Sequence, residues 1–532
     1  MIELAFWSGL LRFMQALILA APTILVGLLI TGVLRRLFGP ERTRLIYGGS
    51  GWRSLVQSWA IGMLLPGCSL GVIPISRELR RAGLSGGAVL AFALSSPLFD
   101  PLSLLYGLTL SKPLVVFMFA GCSLVLVTMV GMIWDRLFPD STATEPATPS
   151  VQAGWPRLLS VLLVVVRESF STSTIYIFIG LLGTALLAAA LPVGSLQRAM
   201  NGGDPWAPLT MTWVAIPAYA TPTLAMSQLG SMFQHANSAG AALILLTFGA
   251  GLNLGLIAWI CLNFGWRKSA AWFVLLLIVG VGMAYALDKP MFPSDVDPAD
   301  HTHAFDVYCS PFHAGETHLA TFAWQRLRET LNPLSVAPLV VLGGLALAGA
   351  GLWLADPQCR IESWLERREH IRAASRYDVN VPAPLVGGAV LAGIVALSIV
   401  GCYAYYPHQQ EVFAEMQIVR ADALTSARLG DSLRTDHQIA LWDKWTRRLE
   451  VGVFLRRWEL SEYQHMKARI LREKLELLRH EVEDGDRQAA ETMIRQVNTA
   501  YERLQRAFPA NGKERTANRN VSARALHTSS VP

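Results

Sequence analysis

Charge is scarce in this sequence. Only 16% of its 532 residues are Asp, Glu, Lys or Arg, against about 25% in an average soluble domain. That shortfall excludes the water-soluble chain of several domains that length alone would suggest. Catalytic signatures are missing as well. Without a GxxxxGK[ST] phosphate loop the chain has no means of hydrolysing ATP by itself. Without HExxH, GxSxG or paired acids in facing apolar helices, it offers no hydrolase or intramembrane protease. An enzyme is therefore not expected, nor a resident cofactor. The six cysteines, Cys68, Cys122, Cys261, Cys309, Cys359 and Cys402, show no CxxC spacing. They imply neither a disulfide framework nor a zinc ribbon. A cleavable signal is not expected either. Residues 1–11 carry Glu3 rather than a basic stretch, and the apolar run at 13–34 is too long for a signal core. It reads as a retained first helix with its N-terminus outside.

Apolar character is what the chain has in plenty, at 52% of residues. About 20 helical residues cross the hydrocarbon core of a bilayer. Runs at 13–34, 83–106, 113–134, 172–191, 240–262, 270–287, 335–355 and 384–406 meet that length. Two further apolar stretches are interrupted, 55–76 by Pro66, Gly67, Gly71 and Pro74, and 211–228 by Pro217 and Pro222. Such residues at membrane depth free backbone groups that protein or a wet cavity must satisfy. If both stretches turn back, Arg77, Arg80, Arg81, Arg136, Arg157 and Arg167 join Arg35, Arg36, Arg42, Arg44, Arg53, Arg267 and Lys268 inside. Lys112 and Arg198 are then left outside. That obeys the positive-inside rule far better than ten crossings. The fold expected is an all-α polytopic membrane protein with eight crossings and two re-entrant segments. The net charge of +6 sets orientation in the bilayer, and nucleic acid is not an expected partner.

The two interrupted stretches belong to a repeat. Ile24-Leu-Val-Gly27-Leu-Leu29 returns 153 positions later as Ile177-Phe-Ile-Gly180-Leu-Leu182. Ser85-Gly-Gly87-Ala88 returns as Ser238-Ala-Gly240-Ala241, and Phe99-Asp100 as Leu252-Asn253. Leu65-Pro66 is answered by Ile216-Pro217, two positions out of register. Three crossings between each feature and its copy make the halves inverted. Duplicated units with matching broken helices are how many secondary transporters build a substrate site. Two membrane repeats are expected, 1–138 and 158–287, joined by a linker at 139–157. A loop at 288–334 lies outside. Two more helices at 335–406 enclose a basic cytoplasmic loop. Beyond them, 411–429, 438–484 and 487–508 show helical periodicity, the middle one with Trp442, Trp445, Leu449, Val453, Leu455 and Trp458 near one face. An external helical domain at 407–508, able to engage a protein partner, and a disordered tail at 509–532 complete the chain.

The segment Leu65-Pro-Gly-Cys68-Ser-Leu-Gly71-Val-Ile-Pro74-Ile-Ser-Arg77-Glu-Leu-Arg-Arg-Ala-Gly83-Leu-Ser85-Gly-Gly-Ala88, followed by Ala91-Phe92 and Ser96-Pro97, resembles the predicted permease family. That family includes organoarsenical-efflux permeases and a branch assigned to copper or zinc efflux. Its pattern is roughly Pro-x-Cys-Ser-Cys-Gly-Val-x-Pro, a basic stretch, then Gly-Ala-Ser-x-Gly-Ala. Here the second cysteine is replaced by Leu70, and the matching part of the second repeat, Tyr219-Ala220-Thr221-Pro222, holds none. The resemblance covers about half the chain. It implies a cell-membrane permease of the efflux type for a soft metal ion or small metalloid, with zinc or copper as passenger rather than cofactor. A permease for another solute, or a membrane scaffold displaying the external domain, are the alternatives.

Several residues are candidates for the site. Cys68 sits between Gly67 and Ser69 at a helix break, where backbone N–H groups lower a thiol pKa. It is otherwise a small packed residue. Asp100 is the one acid of its segment and is matched by Asn253. It either binds a cation or proton at membrane depth, at a cost of roughly 2.5–3.5 kcal/mol on insertion scales, or caps a helix. Ser69, Pro74, Thr221 and Pro222 frame the two breaks, whose freed backbone groups either coordinate solute or mark ordinary kinks. Arg77, Glu78, Arg80 and Arg81 anchor the cytoplasmic interface. In the external loop, His301, His303, Cys309, His313 and His318 stand among several acids. Imidazole and thiolate ligands suit zinc or copper, though the spacing fits no standard module. A polar loop that happens to contain histidines is the alternative.

Overall fold

The structure, a computed structural model, describes residues 2–49, 51–110, 113–139, 155–292, 302–331, 333–367 and 381–509. All regular elements among them are helices. Most of the expected linker and tail, and Lys112, lie outside the described residues. Two compact units emerge, one spanning most of residues 1–399 and the other beginning at Val400.

The first unit opens with α1 (Ile2–Val33), which runs through a π-helical turn into α2 (Gly39–Ile46). It continues with α3 (Trp52–Leu64), α4 (Val72–Arg81), α5 (Gly86–Ser95), α6 (Pro101–Leu110) and α7 (Pro113–Leu137). After α8 (Trp155–Ser169) come α9 (Thr172–Ala190), α10 (Ala207–Ala215), α11 (Pro222–Gln234), α12 (Ala239–Ile244) with a π-helical extension to Ala250, α13 (Leu254–Phe264) and α14 (Trp266–Asp288). Then follow α15 (Leu319–Thr330), α16 (Pro333–Ala355), α17 (Arg360–Arg367) and α18 (Ala383–Tyr405).

Six continuous helices among the described residues are long and apolar enough to cross a bilayer: α1 with α2, α7, α9, α14, α16 and α18. The runs at 83–106 and 240–262, expected as plain crossings, are broken instead. The first parts into α5 and α6 around Pro97 and Pro101, since proline cannot donate the helical hydrogen bond. The second bends by 61° between Ala250 and Leu254. Its bend lacks a proline and follows a π-helical turn, a recognised cause of kinks.

Contacts assign helix ends to two faces. The Arg80 guanidinium donates to Asn263 Oδ1 at 2.6 Å, Trp134 packs edge-on against Phe264 at 5.3 Å, and the Lys268 ammonium lies 5.4 Å from the Phe138 ring. The ends of α4, α7 and α13 thus share a face with the start of α14. Leu55, early in α3, abuts Gly131 one turn before Asp135. So α3 enters and α4 leaves at the same face. Pro208, early in α10, abuts Gly240, and α11 ends shortly before Ser238 caps α12. So α10 and α11 open together at the other end of α14.

A matched pair of polar clamps holds α5 and α12. Ser85 Oγ donates to Asp135 at 2.8 Å and the Gly87 N–H at 2.7 Å. Ser238 Oγ donates to Asp288 at 2.7 Å and the Gly240 N–H at 2.9 Å. Every partner recurs at the 153-residue spacing. Gly87 and Gly240 are needed there, because a Cβ would lie 2.4 Å from the Gly131 carbonyl or 2.6 Å from that of Ala284.

The second unit holds α19 (Gln409–Leu429), α20 (Ser432–Arg457), α21 (Glu462–Glu483) and α22 (Arg487–Ala507). Met416, Trp442, Leu471, Leu475, Ile494 and Tyr501 are among its buried core. The stretch 438–484, expected as one helix, is split at Trp458–Ser461, where Ser461 and Gln464 form a capping box that starts α21. Trp458 consequently leaves the apolar face and is 72% exposed.

Candidate functional site at the helix breaks

Three of the four helices that restart after a break are capped by a side chain, and α4 is not. Thr221 accepts from the Leu224 N–H at 3.2 Å and Asn253 from the Leu256 N–H at 2.8 Å. Asp100 accepts from the Ser103 N–H at 2.6 Å, while its own N–H donates to Ser103 Oγ at 2.8 Å. The Gly71 N–H donates to Cys68 Sγ at 3.3 Å, ahead of α4. Cys68 and Thr221, like Asp100 and Asn253, are 153 positions apart. These groups satisfy N–H donors that a helix start leaves unpaired. Asp100 is therefore engaged by the backbone of its own helix.

The breaks meet one another. Gly180 of α9 faces both Leu70 and Asn253, and a Cβ there would lie 2.6 Å from Asn253 Oδ1. Gly27 of α1, 153 positions earlier, faces the Gly71 carbonyl, 2.1 Å from where a Cβ would stand. Ser96 Oγ lies against Gly67. The Ala220 N–H donates to the Gly249 carbonyl at 3.3 Å. Tyr219, whose N–H donates to Thr184 Oγ1 at 2.8 Å, brings its hydroxyl beside Cys68 and Thr23. Thr23 Oγ1 is 2.9 Å from Cys68 Sγ.

At this meeting point Cys68, Ser69, Ser96 and Asn253 are fully buried and Tyr219 nearly so. Ser69 Oγ, Ser96 Oγ and Asn253 Nδ2 have no hydrogen-bond partner among the described residues. A buried polar atom left unpaired costs roughly 1–3 kcal/mol. Several of them, beside a thiol and at the ends of broken helices, make a buried polar cluster where the breaks meet. Pro74 lies buried in the first turn of α4, and Pro222 opens α11. Tyr219 and Ser96 were not singled out from sequence. Tyr219 stands two residues before Thr221, and Ser96 beside Pro97, so proximity to a break was the available signal.

The basic turn is more than an interfacial anchor. Arg35 bonds Glu78 at 2.7 Å and Arg77 bonds Glu168 at 3.0 Å. Ser173 Oγ donates to the same Glu168 at 2.6 Å. This network ties α4 to α1, α8 and α9.

The described part of the histidine loop does not bring its own candidate ligands together. His301 lies outside the described residues. His303 Nδ1 is 2.8 Å from Asp306 Oδ2 and 3.0 Å from Gln197 Nε2. Cys309 is buried with Ser195 Oγ at 3.5 Å, and burial pushes its thiol pKa up, which disfavours the thiolate a metal needs. His313 and His318 face solvent. Tyr308 donates to Gln228 Oε1 at 2.9 Å, and Gln228 Nε2 to the Ala304 carbonyl at 2.9 Å. Residues 304–308 thus pack against α11. Among the described residues no three of the loop's own side chains form a converging set.

Residues 7–288 match the family described as predicted permease. The UPF0718 protein YcgR of Bacillus subtilis (strain 168) is 26% identical over 285 residues, which covers 52% of this chain and 94% of that protein. No solved structure matches. The matched span ends with α14, so it contains all four breaks, both clamps and every residue of the buried polar cluster. This multi-pass membrane protein belongs to the predicted permease family and is a membrane transporter.

Proposed function

We propose that this transporter exports a thiophilic solute, a soft metal ion or small metalloid compound, from the cytoplasm across the cell membrane, driven by an ion gradient. The two halves work as inverted units that open a solute pocket at the buried polar cluster, with the N-terminus and the helical bundle outside. One observation carries the reading: a buried thiol, Cys68, lies beside the Tyr219 hydroxyl and near three buried polar atoms without partners among the described residues, where helix breaks from both halves meet. Cys68 Sγ supplies the soft ligand, and Ser69, Ser96, Tyr219 and Asn253 supply the polar shell. Asp100 and Thr221 set the breaks by capping, and Pro74 and Pro222 keep them open.

A second reading, a polar solute without metal, is favoured by the single sulfur. Leu70 stands where the family pattern has another cysteine, and soft ions usually take more than one thiolate. Uptake into everted vesicles separates the two. Copper(I), zinc and a trivalent methylarsenical are the probes. At least one is expected to accumulate with the native protein and to fall tenfold or more in Cys68→Ala. Equal accumulation by the variant would overturn the thiol site, and no accumulation of any probe would favour the second reading.

A further inference from the structure

The second unit carries an exposed aromatic corner that transport does not use. α20 ends at Arg457 and α21 starts at Glu462. Between them Trp458 takes a left-handed backbone at φ +56°, unusual for a bulky side chain and often kept for a purpose. Trp458 is 72% exposed, Tyr463 54% and Met466 44%. Arg457 is exposed beside them, and the Lys467 ammonium lies 5.0 Å from the Tyr463 ring.

The position of this corner says what covers it. α18 is a crossing helix that ends at Tyr405. The Arg456 guanidinium donates to the carbonyls of Tyr406 at 2.8 Å and Pro407 at 3.3 Å, and its carbon lies 5.7 Å from the Tyr403 ring. The end of α20 is thereby pinned to the end of a membrane span. Gln409 opens α19 there, and its amide donates to the Pro509 carbonyl at 2.9 Å. So α19 leaves this level, α20 returns to it, and the corner beside Arg456 lies at the edge of the bilayer. Tryptophan and tyrosine favour that zone, and nearby cations favour lipid phosphate.

We propose that the α20–α21 corner is a phospholipid-docking surface. Trp458, Tyr463 and Met466 enter the interfacial layer of the bilayer that α18 crosses, and Arg457 and Lys467 contact headgroup phosphates. The surface seats the bundle on the membrane.

Full-length protein in phospholipid vesicles tests this. An environment-sensitive fluorophore is placed at Trp458→Cys or, at the far corner of the bundle, at Leu429→Cys, with labelling of the native cysteines subtracted. α19 has 21 residues, so at 1.5 Å per residue the far corner stands about 30 Å away. Lipids with a nitroxide near the headgroup are expected to quench position 458 at least threefold more than position 429. Adding Arg457→Glu and Lys467→Glu is expected to halve quenching at 458. Equal quenching at the two positions overturns the docking surface. Quenching unmoved by the charge reversals overturns the phosphate contact. Both labelled proteins must elute as the native protein does, and neither outcome depends on which solute is carried.

Discussion

Asp100 and Asn253 differ in charge yet do one job. Each caps the helix that follows its break, and an amide caps as well as a carboxylate does. Asp100→Asn is therefore expected to keep both fold and transport, whereas Asp100→Ala should lower stability by about 1 kcal/mol. Thermal unfolding in detergent with parallel vesicle uptake distinguishes them, and loss of uptake in Asp100→Asn would show that the charge itself is used. A second acid lies outside the spans. The Arg360 and Ile361 N–H groups donate to Asp356, as does Arg167, and hold its carboxyl below the usual range. A depressed carboxyl stabilises the fold above its unfolded pKa, and that contribution is lost as pH falls through the folded one. Acidification below the usual carboxylate range should loosen α17 first. Hydrogen exchange at residues 360–367 that shows no extra opening there at low pH would refute this.

Among elements, the broken helices depend on being held at both ends. Their inner ends are set by caps, and their outer ends by the clamps at Asp135 and Asp288. A hydrogen bond to a charged group contributes roughly 1.5–3 kcal/mol. Asp135→Ala and Asp288→Ala are each expected to lower the unfolding midpoint. Their effects should add, since the clamps sit at opposite ends of α14 and share no partner. A double variant no worse than either single one would contradict that. α9 meets two breaks at once through Gly180. Gly180→Leu would drive a side chain into Leu70 and Asn253, and overpacking typically costs about 1–3 kcal/mol. Little folded protein should be recovered, as judged by size-exclusion profile.

For the molecule as a whole, two properties follow. If α3 and α4 turn back to the cytoplasm, a cysteine at position 80 should be labelled only from inside, and one at position 112 only from outside. Labelling of position 80 in intact cells would reverse the topology. The bundle has its own core from all four of its helices. Residues 407–509 produced alone are expected to be helical and to unfold cooperatively, as followed by circular dichroism.

The chain alone announced its membrane class and the position of two breaks, because apolar run length and proline are local signals. Cys68, Thr221, Asp100 and Asn253 were legible as candidates because they sit at those breaks or recur in register. The bend before Asn253 was not, since a π-helical turn leaves no proline to read. Trp458 was placed on a buried face because helical periodicity continues smoothly through a corner that only the capping box at Ser461 reveals. In the histidine loop, spacing counts donors but not where side chains point, and packing turns Cys309 inward and His313 and His318 outward. Tyr219 and Ser96 join the buried polar cluster, and Asp135 and Asp288 the clamps, only through the fold. Burial and loss of hydrogen-bond partners depend on which distant segments arrive at the same place, and only tertiary packing decides that.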